Sequence, residues 1–228
     1  MPGFRQTFGF PRGLARNTRY WGFYRGSAVV VPAITNNAGL SVGSVGSVGP
    51  VTTITAVVPA AVGDLLVLGI RIGNATATVL SVTGGGVTSW TVIPVRAGSA
   101  VSAGLCYGVV TSSASSSLVI TTSATVSTST SLLEFSMSGG TWGPDGAPGS
   151  AVDSGTCPTL TPSGAGEMYI AFIACTTSAI GASSAPAGYV QVGSGYSAMI
   201  YDVSVTGAQT PTVTAGNHTA AVAQLIMA

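Results

Sequence analysis

The chain has 228 residues, of which only 6% are charged and none is lysine, with 46% hydrophobic residues, 32 glycines and 12 prolines. That makeup excludes a disordered chain, which is rich in charge and poor in β-branched residues, and a helical one, since Gly, Ser, Thr and Val are weak helix formers. The net charge of +1 hides a split: residues 1–26 hold five arginines and no acid, and the remainder holds two arginines against six acids.

Residues 1–26 read as a basic, aromatic N-terminal arm. Arg5, Arg12, Arg16, Arg19 and Arg25 are interleaved with seven of the chain's sixteen aromatic residues, among them Phe8, Phe10, Tyr20, Trp21, Phe23 and Tyr24. Arginine beside aromatics can stack on bases and contact phosphates. The same mixture anchors protein interfaces, and an arm interrupted by Gly and Pro fits an extended segment laid over a partner protein better than a nucleic-acid tail. These eleven residues are the candidate docking residues, and nucleic acid is the disfavoured partner. Residues 27–50 follow as a Gly/Ser/Val-rich linker, with "SVGSVGSVGPV" at 41–51 too short a repeat to be an architecture.

From residue 51 strand signals become regular. "VTTITAVV", "DLLVLGIRI", "ATVLSVT", "SWTVIPV", "SAGLCYGVV", "SLVITTS" and "SLLEFSM" are separated by breaks of turn length and form a first β half, 51–137. Leu65 to Leu68 do not alternate, which predicts a central strand covered on both faces. Leu133, Phe135 and Met137 alternate with Glu134 and Ser136, which predicts a half-buried strand. Residues 138–156, rich in Gly and Pro, read as a crossing loop, and 157–228 as a second β half. The second half repeats the first: "GDLLVLGI" returns as "GEMYIAFI", "TSWTVIP" as "AGYVQVG", "GLCYGVV" as "SAMIYDV", "LVITT" as "PTVTA", and "SLLEFSM" as "AAVAQLIMA". The fold class expected is all-β: an antiparallel, jelly-roll-like β-sandwich of two similar halves behind an extended N-terminal arm. A single sandwich, with each half contributing to both sheets, is favoured over two because neither half alone promises a large core.

Chemistry-bearing residues are sparse. His218 is the single histidine and sits in a small-residue turn without a nucleophile elbow nearby. Cys106, Cys157 and Cys175 are odd in number and read as buried, idle thiols. Metal sites of His and Cys type are excluded by number and spacing, a calcium site of loop oxygens stays open, and no cofactor is expected. Among the six acids, Asp64 and Glu167 hold equivalent places in the two halves and read as turn carboxylates accepting backbone N–H bonds. Asp145 stands with Trp142 in the conspicuous "TWGPDGAPG" stretch, and these two are the candidate glycan contacts; Trp90 and Tyr189 lie in strand patterns and read as core. A glycosidase would require Asp145 or Glu134 in a cleft near another carboxylate. No apolar run reaches the roughly 20 residues of a spanning helix, and no apolar signal core opens the chain, so synthesis without export is expected. A surface so poor in charge suits a homo-oligomer better than a free monomer.

The phrases "VPAAVGDLLVLGIRI", "SWTVIP", "GLCYGVV", "LVITT" and "SLLEFSM", followed by "GEMYIAFIA", "APAGYVQVG", "SAMIYDVSV", "PTVTAG" and "AAVAQLIMA", resemble a β-sandwich family of tailed-bacteriophage virion proteins often labelled minor tail proteins. In that family a "VPAxVxxGDLLL" opening, a "PxGWT" segment and a second half closing on "AxxVALxP" recur in this order. The resemblance spans about residues 51–228 and leaves out the arm; here "TSW" stands for "PAGW", and Tyr189 for the usual Trp. It implies a noncatalytic virion protein, made in the host cytoplasm, assembled as an oligomer and held to other virion proteins. A tail-associated role is the first expectation, a capsid decoration or cement protein the alternative, and a host-surface glycan-binding module a further one.

Overall fold

A computed structural model describes residues 33–37, 47–152, 155–177, 180–181, 185–215 and 219–227. Residues 31–228 form one compact unit, and the described residues hold twelve strands. They are β1 (Ile34–Asn36), β2 (Ser47–Val57), β3 (Leu65–Ile72), β4 (Val79–Gly84), β5 (Thr91–Ala97), β6 (Ser102–Val109), β7 (Ser116–Met137), β8 (Gly143–Val152), β9 (Glu167–Cys175), β10 (Val190–Val192), β11 (Ser197–Val205) and β12 (Thr219–Met227). All pairings between them are antiparallel.

The protein is a β-sandwich of two sheets. One runs β1-β7-β3-β6-β5, with β2 and β4 also pairing to β7; the other runs β10-β11-β9-β12-β8. Written from opposite edges, the orders superpose: β1, β7, β3, β6 and β5 correspond to β8, β12, β9, β11 and β10. Four of the five repeated phrases therefore occupy matching strands, whereas "LVITT" opens β7 and "PTVTA" lies between β11 and β12 with only an isolated bridge at Thr212. Each half, however, builds one whole sheet, and the expectation that each contributes to both is corrected. The reason lies in the strand partners: within each half the strongest apolar strand, β3 or β9, takes both its neighbours from the same half.

Two element readings also change. The stretch 138–156 contains β8, a ten-residue edge strand paired to β12; its Pro144 and Pro148 are tolerated because an edge strand leaves alternate N–H groups unpaired. "SLVITTS" and "SLLEFSM" belong to one 22-residue strand, β7. No Gly or Pro stands between Ser116 and Met137, and the intervening Thr and Val favour extended backbone. The first part of β7 pairs with β2 and β4, and the last part with β1 and β3. Strand β2 begins at Ser47 and β1 lies at Ile34–Asn36, so part of the 27–50 stretch is paired to β7 rather than serving as linker.

Three apolar layers result. Leu65, Val67, Leu105, Leu133 and Phe135 of the first sheet meet Met168, Ile170, Phe172, Met199 and Val222 of the second in the central core. The outer face of β3 (Leu66, Leu68, Ile70 and Ile72) is covered by Ile54, Val82, Leu118 and Ile120 of β2, β4 and the start of β7. The outer face of β9 (Tyr169, Ala171 and Ile173) is covered by Cys157, Ile180, Val205 and Val213. The non-alternating "LLVL" run is thus buried on both sides, as expected. At the centre, Phe172 lies so close to β3 that a Cβ placed on Gly69 would stand 2.1 Å from its ring, which is why a glycine occurs within an otherwise apolar strand. Arg71 of β3 joins the sheets at one end: its Nε donates to the Cys175 carbonyl at 2.7 Å, and its guanidinium lies 5.0 Å from the Tyr196 ring centroid.

Candidate functional site

A groove of about 520 Å³ opens between the β5–β6 edge of the first sheet and the start of β8 in the second. Its floor is apolar, with Leu65, Val109 and Pro144, and its rim carries Thr88, Ser89, Thr91, Thr111 and Tyr107. Trp142 forms one wall. The indole packs partly on the central core and its Nε1–H donates to the Gly63 carbonyl at 2.9 Å. That carbonyl belongs to the turn opening β3, where Gly63 adopts φ +95°, a conformation that favours glycine. Tyr107 and Thr91 are paired across β5 and β6, and their side chains share a hydrogen bond. The Thr88 and Thr111 hydroxyls meet at 2.7 Å, and Thr111 also donates to the Gly86 carbonyl at 3.1 Å.

Asp145 does not join Trp142 in this groove. Its Oδ2 accepts the Ser163 N–H at 2.8 Å, and its carboxylate faces Glu167. Trp142 lies in the segment just before β8, whereas Asp145 lies within that edge strand and turns to the Ser163–Glu167 turn. Glu167 Oε1 accepts the Gly164 N–H at 2.6 Å and the Ser163 hydroxyl at 3.3 Å, the turn duty expected of it. In the first half Asp64 instead receives Asn37 Nδ2–H at 2.8 Å, and Glu134 accepts the Ala60 N–H at 2.7 Å. The register makes Asn37 and Asp145 counterparts, since each lies opposite the residue one step before the strand pair Leu65–Phe135 or Met168–Ile226. In both halves, then, the acid that opens the strongest strand is held by a side chain from the sheet's edge.

These carboxyl groups are electrostatically unusual. Glu134, buried to 1% exposure, is held above its ordinary value by burial and then by Asp64, against the Ala60 hydrogen bond that pulls it down. Glu167 is likewise raised, by burial and then by Asp145. Asp145 is lowered, first by the hydrogen bond it shares with Glu167 and then by Ser163. In each pocket the glutamic acid is thus biased toward its protonated form. The half-buried strand predicted around Glu134 is in fact covered on both faces, and the alternation instead separates the central core from this polar pocket.

Trp90 donates from Nε1 to the Gly84 carbonyl at 3.0 Å and packs on the outer core of the first sheet. Tyr189 packs edge-on against Tyr169, with centroids 5.9 Å apart, and bonds Gln209 through its hydroxyl. Both serve the core, as expected, each from the position just before its strand, β5 or β10. The three cysteines are buried and free, and burial pushes the Cys106 and Cys157 thiols up to about 12, far from reactive thiolate. Arg5, Phe8, Phe10, Arg12, Arg16, Arg19, Tyr20, Trp21, Phe23, Tyr24 and Arg25 lie outside the described residues, as do Asp153 and His218. Sequence reasoning singles out Trp142 but misses Tyr107, Thr88 and Thr111, which come together only through the β5–β6 pairing; the hydroxyl-rich run "TSWT" is the one local signal for that wall.

Neither a scan of protein-family models nor searches of curated proteins and of solved structures finds a match to this chain.

Proposed function

We propose that the chain is a noncatalytic structural subunit of a tailed-bacteriophage particle, tail-associated, attached to neighbouring virion proteins through residues 1–26 and presenting the sandwich outward. The observation that carries this reading is the repeated strand order. Five strands recur in one sequence of pairings in the two halves, in the chain order that the resemblance to phage minor tail proteins requires. Three further features support it. Asp64, Glu134, Asp145 and Glu167 are committed to one another and to turns. The basic residues are concentrated in the arm, and the body has little charge with which to keep copies apart.

The test compares the full chain with residues 27–228 in particle assembly, with size measured by light scattering. A truncated body that folds and self-associates but no longer joins particles supports the reading. Undiminished incorporation overturns the anchoring role of the arm. Copy number per particle then separates a tail component, present in few copies, from a capsid decoration protein, present in hundreds.

A further inference from the structure

We propose that the groove beside Trp142 is a saccharide site that takes a neutral pyranose, its ring stacked on the indole and its hydroxyls exchanged with the Thr88–Thr111–Tyr107 rim. This goes beyond a structural role for the chain and does not depend on it, because the groove belongs to the isolated body.

Three observations set the ligand class. The first is preorganisation. The single polar atom of the indole is spent on the Gly63 carbonyl, so the ring is held in place and what it adds to the groove lining is apolar aromatic surface, which suits the C–H face of a sugar. The second is the rim. Thr111 has one hydroxyl proton and gives it to the Gly86 carbonyl, so the 2.7 Å contact with Thr88 takes the proton of Thr88. The Thr88 oxygen is then left with acceptor capacity, and both Thr88 and its neighbour Ser89 are exposed and line the groove. The third is charge. No Lys, Arg, Asp, Glu or His is among the residues lining the groove, so a phosphate, sialic acid or ammonium ligand would lose hydration without gaining a counter-charge. An apolar floor, one fixed aromatic wall and a ring of hydroxyls in a space within the usual range of about 300–1,000 Å³ describe a small-ligand site, and a mono- or disaccharide uses all three.

The experiment uses the full chain and four neutral disaccharides, cellobiose, lactose, maltose and N,N′-diacetylchitobiose, with sialyllactose as the charged comparison. Saturation-transfer NMR identifies the sugar protons in contact, and a fluorescence titration gives the affinity. At least one neutral sugar should bind with a Kd of about 1–10 mM, with saturation strongest on its axial C–H face. Ser89→Arg, which places a long charged side chain at an exposed position of the groove lining, should weaken binding at least about tenfold while circular dichroism and melting stay unchanged. Trp142→Ala should abolish binding; should it also lower the melting temperature, Ser89→Arg and Tyr107→Phe decide. Saturation by none of the four sugars, binding of sialyllactose alone, or affinity unaffected by Ser89→Arg would each overturn the assignment.

Discussion

Glu134 and Glu167 lie in matching polar pockets, one per sheet, and each is held above its ordinary value by burial and by a neighbouring aspartate. The sign of the pH dependence follows. A carboxyl whose native value is raised keeps a proton that the unfolded chain, titrating near 4.5, has released. Its contribution to stability is complete below that value and is lost as pH rises through the native range. Asp145, lowered from 3.8, has the opposite sign and loses its contribution as pH falls, but it is more exposed and its effect is screened. Urea midpoints should therefore decline as pH rises from about 4.5 to neutrality. The double variant Glu134→Gln/Glu167→Gln, which keeps an N–H donor toward each aspartate, should flatten that slope. Equal slopes in variant and wild type would show that the two glutamates are not the protonated partners.

At the scale of elements, what is legible in the sequence is the strands that carry apolar runs. "LLVLGI" and "MYIAFIAC" announce β3 and β9, and the paired phrases announce the duplication, because burial on both faces leaves no room for polar residues. What escapes is structure whose stability comes from a partner. The Gly/Pro content of 143–152 argues for a loop, yet β12 offers β8 a free edge, and pairing there outweighs propensity. The break within β7 is read from Ser and Thr that in fact pair with β2 along the first part of the strand and with β3 along the last part. The groove is legible at Trp142 alone, since its opposite wall is made by register. The same hierarchy should govern local opening. In hydrogen exchange, amides of β3, β9 and β12, flanked by strands on both sides, should be at least about tenfold slower than those of the edge strands β1, β8 and β10, a difference of about 1.4 kcal/mol in opening free energy. Equal protection in β8 and β12 would contradict the edge position of β8.

For the whole molecule, the central core belongs to neither half. Leu65, Val67 and Phe135 have as partners Met168, Ile170 and Phe172, and Gly69 is shaped to Phe172. Unfolding should accordingly be a single transition, with calorimetric and van't Hoff enthalpies equal. A chain ending at residue 137 should show strand-rich far-ultraviolet dichroism at most, without near-ultraviolet signal or a sharp melt, and should bind a hydrophobic dye. A cooperative melt from that fragment would mean that the first sheet is a domain in its own right.

That each sheet is one uninterrupted stretch of chain also has a consequence in time. On the ribosome the last strand of the first sheet ends at Met137, and the last strand of the second at Met227, an interval of roughly 5 to 20 s at ordinary elongation rates. Throughout it the nascent chain carries a finished strand order whose inner face has no cover. The surface it awaits is laid out like its own, so on a crowded polysome the nearest substitute is the first sheet of the next chain. The fragment ending at 137 is that intermediate made permanent, and its tendency to pair with itself measures how much the cell's chaperones must hold apart.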